Sequence, residues 1–162
     1  MVRIIRGRGA LALTVSIAAL GVCGVGTAGA VTVAPVAKTF SFIGKPNSKT
    51  VTLLNIDSLL INARCTAGGS PIIFAFTSAN NGDIFGRIFD GAGRLHTVHN
   101  TVFNKSNKGI LLSSSSSDFD GSGTVLFESS DGKVVTLQYG FDNSTTLGRQ
   151  NVCTVFGSAI AS

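Results

Sequence analysis

Tryptophan is absent from this chain of 162 residues, and Tyr139 is its single tyrosine. The sequence therefore has few of the amphipathic aromatic side chains on which bound sugars commonly stack. Its eleven phenylalanines fall mostly at alternating positions in apolar runs. We expect these residues, and Tyr139 with them, to belong to the core. This composition argues against a stacking platform for carbohydrates and leaves open binding through hydrogen bonds from loops.

Charged residues are also few, at 13% of the chain, and they do not cluster. Three of the 13 basic residues (Arg3, Arg6 and Arg8) and none of the 8 acidic residues lie near the N-terminus, so the formal net charge of +5 falls to +2 beyond them. Surfaces that bind nucleic acids carry dense groups of Lys and Arg. The scattered charges here therefore predict no nucleic-acid partner.

Sequence signatures of common enzymes are missing. The chain has no G-x-S-x-G nucleophile motif, and residues 31–162 contain no glycine loop of the phosphate-binding kind. Hydrolysis of a glycoside requires two placed carboxylates, whereas Glu128 is the only glutamate and the aspartates lie mostly in turn sequences. We therefore predict a protein that is not an enzyme. The alternative is a secreted hydrolase whose site is built from loop residues such as Asp118, Asp120, Glu128 or His96.

The N-terminus has the composition of a secretory signal peptide. Three arginines precede an apolar stretch from Ala10 to Val25, and Ala28-Gly29-Ala30 forms an A-x-A cleavage site. We predict a helical signal peptide over residues 1–30, cleaved after Ala30, and a secreted domain over residues 31–162. A retained anchor is the alternative, since the apolar stretch is long enough to span a bilayer.

Two cysteines, Cys65 and Cys153, lie outside this leader. Secretion exposes thiols to an oxidising environment, so we predict a Cys65–Cys153 disulfide rather than two buried thiols. In the chain-entropy account, a bond that closes so long a loop contributes about 4–5 kcal/mol. The third cysteine, Cys23, lies within the leader, where lipidation is the less favoured alternative to cleavage after Ala30.

Short runs of alternating apolar and polar residues follow one another along residues 31–162. In the run 59–65 one face carries Leu59, Ile61, Ala63 and Cys65, and in the run 133–141 one face carries Val135, Leu137, Tyr139 and Phe141. A period of two is typical of strands with one buried face, and no segment of residues 31–162 has the period of 3.6 that indicates a helix. Nine or ten such runs predict an all-β fold, an antiparallel sandwich with jelly-roll or immunoglobulin-like topology.

Turn sequences between these runs predict which strands pair. Ser129–Gly132 predicts a hairpin between the runs 124–128 and 133–141. Asn80-Asn81-Gly82 predicts a second hairpin, joining the run 72–77 to the run 84–89. Asn and Gly accept the positive φ angles that tight hairpins require.

Two groups of residues resemble metal sites. His96 and His99 are three positions apart in a predicted strand, so their side chains point to opposite faces and cannot share an ion. Asp118, Asp120 and Gly121 resemble part of a calcium loop but supply few of the six to eight oxygen ligands that calcium takes. We expect a solvated turn there, and we predict no metal and no cofactor.

Four segments carry a resemblance to known sequences: TLLNIDSLLINARC (52–65), SGTVL (122–126), VVTLQYGFD (134–142) and NVCTVFGSA (151–159). Together with the leader they resemble a group of uncharacterised secreted bacterial proteins with one disulfide and a predicted all-β domain. The resemblance covers most of residues 48–160. It implies an exported β fold and brings no catalytic residues.

These features together predict a secreted or cell-envelope-associated, non-enzymatic β-sandwich protein that acts as a binding or structural module. The sequence does not identify its partner, which we expect to be an envelope component or another protein. It predicts membrane attachment only through an uncleaved leader.

Overall fold

A computed structural model of the chain describes residues 34–113, 120–143 and 152–162. Every regular element within these ranges is a β-strand, as the alternating sequence predicted. The strands are β1 (Val36–Gly44), β2 (Val51–Ile56), β3 (Leu59–Cys65), β4 (Pro71–Thr77), β5 (Gly82–Asp90), β6 (Leu95–Phe103), β7 (Ile110–Leu111), β8 (Gly121–Glu128), β9 (Val134–Asp142) and β10 (Cys153–Ala161). No helix in these ranges is long and apolar enough to cross a membrane. The predicted signal peptide and its cleavage site after Ala30 lie outside the described residues and remain predictions.

The ten strands form two antiparallel sheets that pack as a sandwich. The larger sheet has the order β1-β10-β9-β8-β5-β6, and the smaller has the order β2-β3-β4-β7. The sequence leaves the topology open, and the structure builds it from two meanders, β2-β3-β4 and β8-β9-β10. The predicted hairpin across residues 129–132 is present, with Glu128 of β8 opposite Val134 of β9.

One hydrophobic core lies between the sheets and contains side chains from both of them. The predicted inner face of β3 is at most 1% exposed, and that of β9 at most 5%: Leu59, Ile61, Ala63, Cys65, Val135, Leu137, Tyr139 and Phe141. Period-two alternation therefore identified the buried faces of these two strands correctly.

The predicted disulfide between Cys65 and Cys153 is confirmed, and both residues are fully buried. Cys65 ends β3 in the smaller sheet, and Cys153 begins β10 in the larger sheet, with 5.8 Å between their Cα atoms. The bond closes a loop across a sequence separation of 88 residues and connects the two layers. It therefore restricts both the unfolded chain and the separation of the sheets.

Tyr139 belongs to the core, as predicted, and its hydroxyl makes a second connection between the sheets. The hydroxyl donates a hydrogen bond of 2.6 Å to the carbonyl oxygen of Leu112, which directly follows β7. The amide of Leu112 in turn donates to the carbonyl of Ile73 on β4, at 2.8 Å. Burial raises the pKa of Tyr139 well above its usual value of 10.

The hairpin predicted at Asn80-Asn81-Gly82 is wrong. The strand before it, β4, lies in the smaller sheet, and the strand after it, β5, lies in the larger sheet. Asn81 does have a positive φ of 55°. However, its amide binds the side chain of Asn104 at 2.6 Å, and the amide of Lys105 binds the carbonyl of Ala79 at 2.9 Å. The turn residues bend the chain locally, and these distant contacts fix its direction across the sandwich.

Candidate functional site

His96 and His99 lie on opposite faces of β6, as the strand geometry predicted. His96 points to the inner side of the sheet, where its Nε2 lies 3.0 Å from Oδ2 of Asp90. His99 points outward, and its Nε2 lies 3.6 Å from Oδ1 of Asp83. The two imidazoles therefore cannot bind the same ion.

Asp90 holds together the turn between β5 and β6. Its carboxylate is fully buried and accepts bonds of 2.8 Å from both the amide and the Nε of Arg94. Burial alone would raise the pKa of Asp90, but the hydrogen bonds from His96 and Arg94 outweigh it and lower the pKa to about 2. The carboxylate thus remains ionised and engaged by several donors, which suits a structural role.

Asp120 and Glu128, the two described residues among the acids considered for calcium binding or hydrolysis, do not assemble into one site. Asp118 lies outside the described residues, so the solvated turn expected there remains a prediction. Asp120, just before β8, lies against Gly91, where its carboxylate occupies the space that a Cβ on that glycine would need. Glu128 ends β8, about 27 Å away at 3.4 Å per residue, too far to act with Asp120 on one bond. In the described part of the chain, no three His, Cys, Asp or Glu side chains are placed to hold a metal ion.

The outer face of the larger sheet, which points away from the core, carries a group of exposed apolar side chains. The large ones there include the following, each between 38% and 59% exposed: Ile43, Phe85, Phe89, Leu95, Leu126, Phe156 and Ile160. Isolated exposed apolar residues are ordinary, whereas a contiguous group often marks an interaction site. This face is the candidate functional site.

Cross-strand pairing arranges the outer face in three rows that run across all six strands. The Phe89 row contains Leu95, Phe89, Ser122, Gly140, Phe156 and Ser41. The Arg87 row contains Thr97, Arg87, Thr124, Gln138, Ser158 and Thr39. The Phe85 row contains His99, Phe85, Leu126, Thr136, Ile160 and Ala37. A fully polar row therefore lies between two rows that carry aromatic and aliphatic side chains.

Phe89 and Phe156 border an open trough of about 800 Å³. They stand on β5 and β10, three strand spacings or about 14 Å apart, with Ser122 and Gly140 between them as the floor. The Phe156 ring leans over Gly140, since a Cβ on that glycine would lie 2.7 Å from the ring. Glycine is thus required at this position for the ring to lie down, as in the aromatic covering of strand glycines.

Arg87 is the single charged residue that lines the trough. Its guanidinium lies 5.6 Å from the centre of the Phe85 ring, a distance typical of a cation–π contact. No carboxylate within the described residues forms an ion pair with it. Arg87 therefore lines the trough without a described carboxylate to neutralise it, in contact with a ring of its own strand.

The expectation that the phenylalanines belong mostly to the core overlooked this face, and the inference against an aromatic stacking surface rested on that expectation. In β5, Ile84 and Ile88 point inward while Phe85 and Phe89 point outward, so both faces of the strand are apolar. Alternation separates two faces but cannot say which faces the core when both are apolar. A usable signal was present in the two phenylalanines four positions apart on the same face as Arg87.

Comparisons with protein-family models, with curated proteins and with solved structures found no match for this chain. The site must therefore be interpreted from its own geometry. The buried disulfide is consistent with an extracellular protein.

Proposed function

We propose that this chain is an exported, non-enzymatic binding module that attaches to cell-envelope material through the outer face of its larger sheet. The observation that carries the proposal is the trough between Phe89 and Phe156, with its polar and aromatic lining. Leaving several large apolar side chains half in water gains nothing for folding, since fully burying an exposed side chain of this size stabilises a protein by about 1.5–3 kcal/mol. Covering them with a ligand recovers part of that free energy.

Export is supported by two independent features. The N-terminal sequence has the basic, apolar and A-x-A segments of a signal peptide. The disulfide between Cys65 and Cys153 is of the kind that persists in oxidising compartments. Both features favour a site of action outside the cytoplasm.

A binding role is favoured over hydrolysis by where the acidic and basic groups lie. Glu128 and Asp120 are at opposite ends of β8, and Asp90 is engaged by Arg94 and His96. The trough itself is lined by one cation and by neutral side chains, a set that orients a ligand without supplying an acid–base pair.

Co-sedimentation of the purified, oxidised protein with cell envelopes tests the proposal. We expect saturable binding that weakens about tenfold or more in Phe89→Ala and Phe156→Ala, because buried aromatic contacts dominate binding energies. Val51→Ala is the control: this apolar side chain is 38% exposed but lies on β2 of the smaller sheet, away from the outer face of the larger sheet. Its binding should remain unchanged.

Two results would contradict the proposal. One is a failure of the wild-type protein to co-sediment with envelopes, or equally strong binding by the Phe89→Ala and Phe156→Ala variants. The other is turnover of an ester, glycoside or peptide substrate that is lost in His96→Ala or Glu128→Gln, which would identify the hydrolase instead.

A further inference from the structure

The chemistry of the trough narrows the class of ligand, and this step rests on the proposed function. We infer that the trough binds an oligosaccharide that carries carboxylate groups, with its sugar rings between Phe89 and Phe156 and one carboxylate on Arg87. Three properties of the described residues lead to this ligand: the spacing of the aromatic rings, the polar row beside them, and the sign of the charge.

The aromatic rings match the apolar faces of sugar rings. Phe89 and Phe156 are each about half exposed, at 48% and 54%, so each keeps a ring face available for contact. Ser122 and Gly140 separate them; the Phe156 ring covers Gly140, so the floor is open beside Phe89, over Ser122. A flat, narrow chain fits over this floor, and the C–H faces of its rings can pack on the phenylalanines.

The polar residues beside the aromatic rings match the hydroxyl groups of a sugar chain. Thr124, Gln138 and Ser158 line the trough and follow one another on adjacent strands, about 4.8 Å apart. Hydroxyl and amide side chains both donate and accept hydrogen bonds, as sugar hydroxyls do. A purely apolar ligand would remove water from this row without replacing its hydrogen bonds, which is costly.

The charge of the site favours an acidic ligand. Arg87 lines the trough and no Asp or Glu does. A guanidinium binds a carboxylate through two parallel hydrogen bonds, a geometry that lysine cannot reproduce. The contact of Arg87 with the Phe85 ring restricts its motion before the ligand binds. One cation on a mixed aromatic and hydroxyl surface suits occasional carboxylates along a sugar chain rather than the continuous phosphates of a nucleic acid.

Calorimetric titration with defined oligosaccharides tests the inference. The probes are tetramers of galacturonate, glucuronate and mannuronate, their methyl esters, and a neutral glucose tetramer. We expect at least one acidic tetramer to bind, and its uncharged methyl ester to bind at least tenfold more weakly. Arg87→Gln should remove the difference between acid and ester, whereas Phe156→Ala should weaken the binding of both. Val51→Ala serves again as the control and should match the wild type.

The outcomes separate this inference from the function it rests on. If none of the acidic tetramers binds, or if acid and ester bind equally, the assignment of an acidic oligosaccharide is overturned. Envelope binding that still depends on Phe89 and Phe156 would in that case leave the binding function standing with a different ligand. If the acidic tetramers do not bind and envelope binding does not depend on Phe89 and Phe156, both proposals are overturned.

Discussion

Replacing Tyr139 with phenylalanine tests the hydrogen bond that joins the two sheets. The change removes the hydroxyl and keeps the ring, which stacks on Phe141 with 6.2 Å between ring centres. The buried carbonyl of Leu112 then loses the donor that lies 2.6 Å from it. We expect the free energy of unfolding near neutral pH to fall by about 1–2 kcal/mol, the usual cost of leaving such a group without its partner.

The difference in stability between the wild type and this variant depends on pH. Burial raises the pKa of Tyr139 in the folded protein above its usual value of 10, so the unfolded chain ionises first. The stability from this group is therefore complete below pH 10 and is lost as the pH rises toward the folded pKa. At about pH 11 the wild type loses about 1.4 kcal/mol by this route, and Tyr139→Phe loses none. The stability gap between the two proteins should close near that pH.

Urea unfolding of both proteins from about pH 7 to 11, followed by circular dichroism, measures the gap. Tyr139 is the single tyrosine of the chain, so tyrosinate absorbance of the folded protein reports its ionisation directly. Thr136→Val, which changes an exposed hydroxyl on the same strand, should stay within about 0.5 kcal/mol of the wild type. Equal stability of Tyr139→Phe and wild type at neutral pH, or tyrosinate forming near pH 10 in the folded protein, would refute the reasoning.

Three further changes test local features of the fold. Ser58→Gly should raise the free energy of unfolding by about 0.5–1 kcal/mol in urea, because Ser58 has a φ of 70° in the two-residue turn between β2 and β3; no gain would contradict this. Gly44→Ala should lower it by about 1–3 kcal/mol, because a Cβ would overlap the sulfur of Cys65; an unchanged midpoint would show that the disulfide can shift. Asp90→Asn should lower the melting temperature near neutral pH. The difference from wild type should vanish as the pH falls from about 4 toward 2, the lowered pKa of Asp90. A difference that stays constant with pH would show that the ionised carboxylate of Asp90 does not stabilise the fold.

The sequence by itself determined the local features of this protein. Period-two alternation predicted the strands and the inner faces of β3 and β9, and the positive φ preferred by glycine predicted the turn at Ser129–Gly132, where Gly132 has a φ of 80°. Two cysteines beyond the predicted signal peptide predicted the disulfide. Each of these inferences depends on neighbours in the chain or on composition, which the sequence states directly.

Only the tertiary structure decided which strands pair and which residues meet on the outer face. The turn at Asn81 bends the chain equally well into a hairpin or across the sandwich, and contacts from Asn104 and Lys105 select the crossing. Phe89 and Phe156 are 67 positions apart in the sequence, and only the register of β5, β8, β9 and β10 places them on either side of one trough. Strand pairing is a long-range choice among many similar apolar runs, so local pattern alone does not determine it.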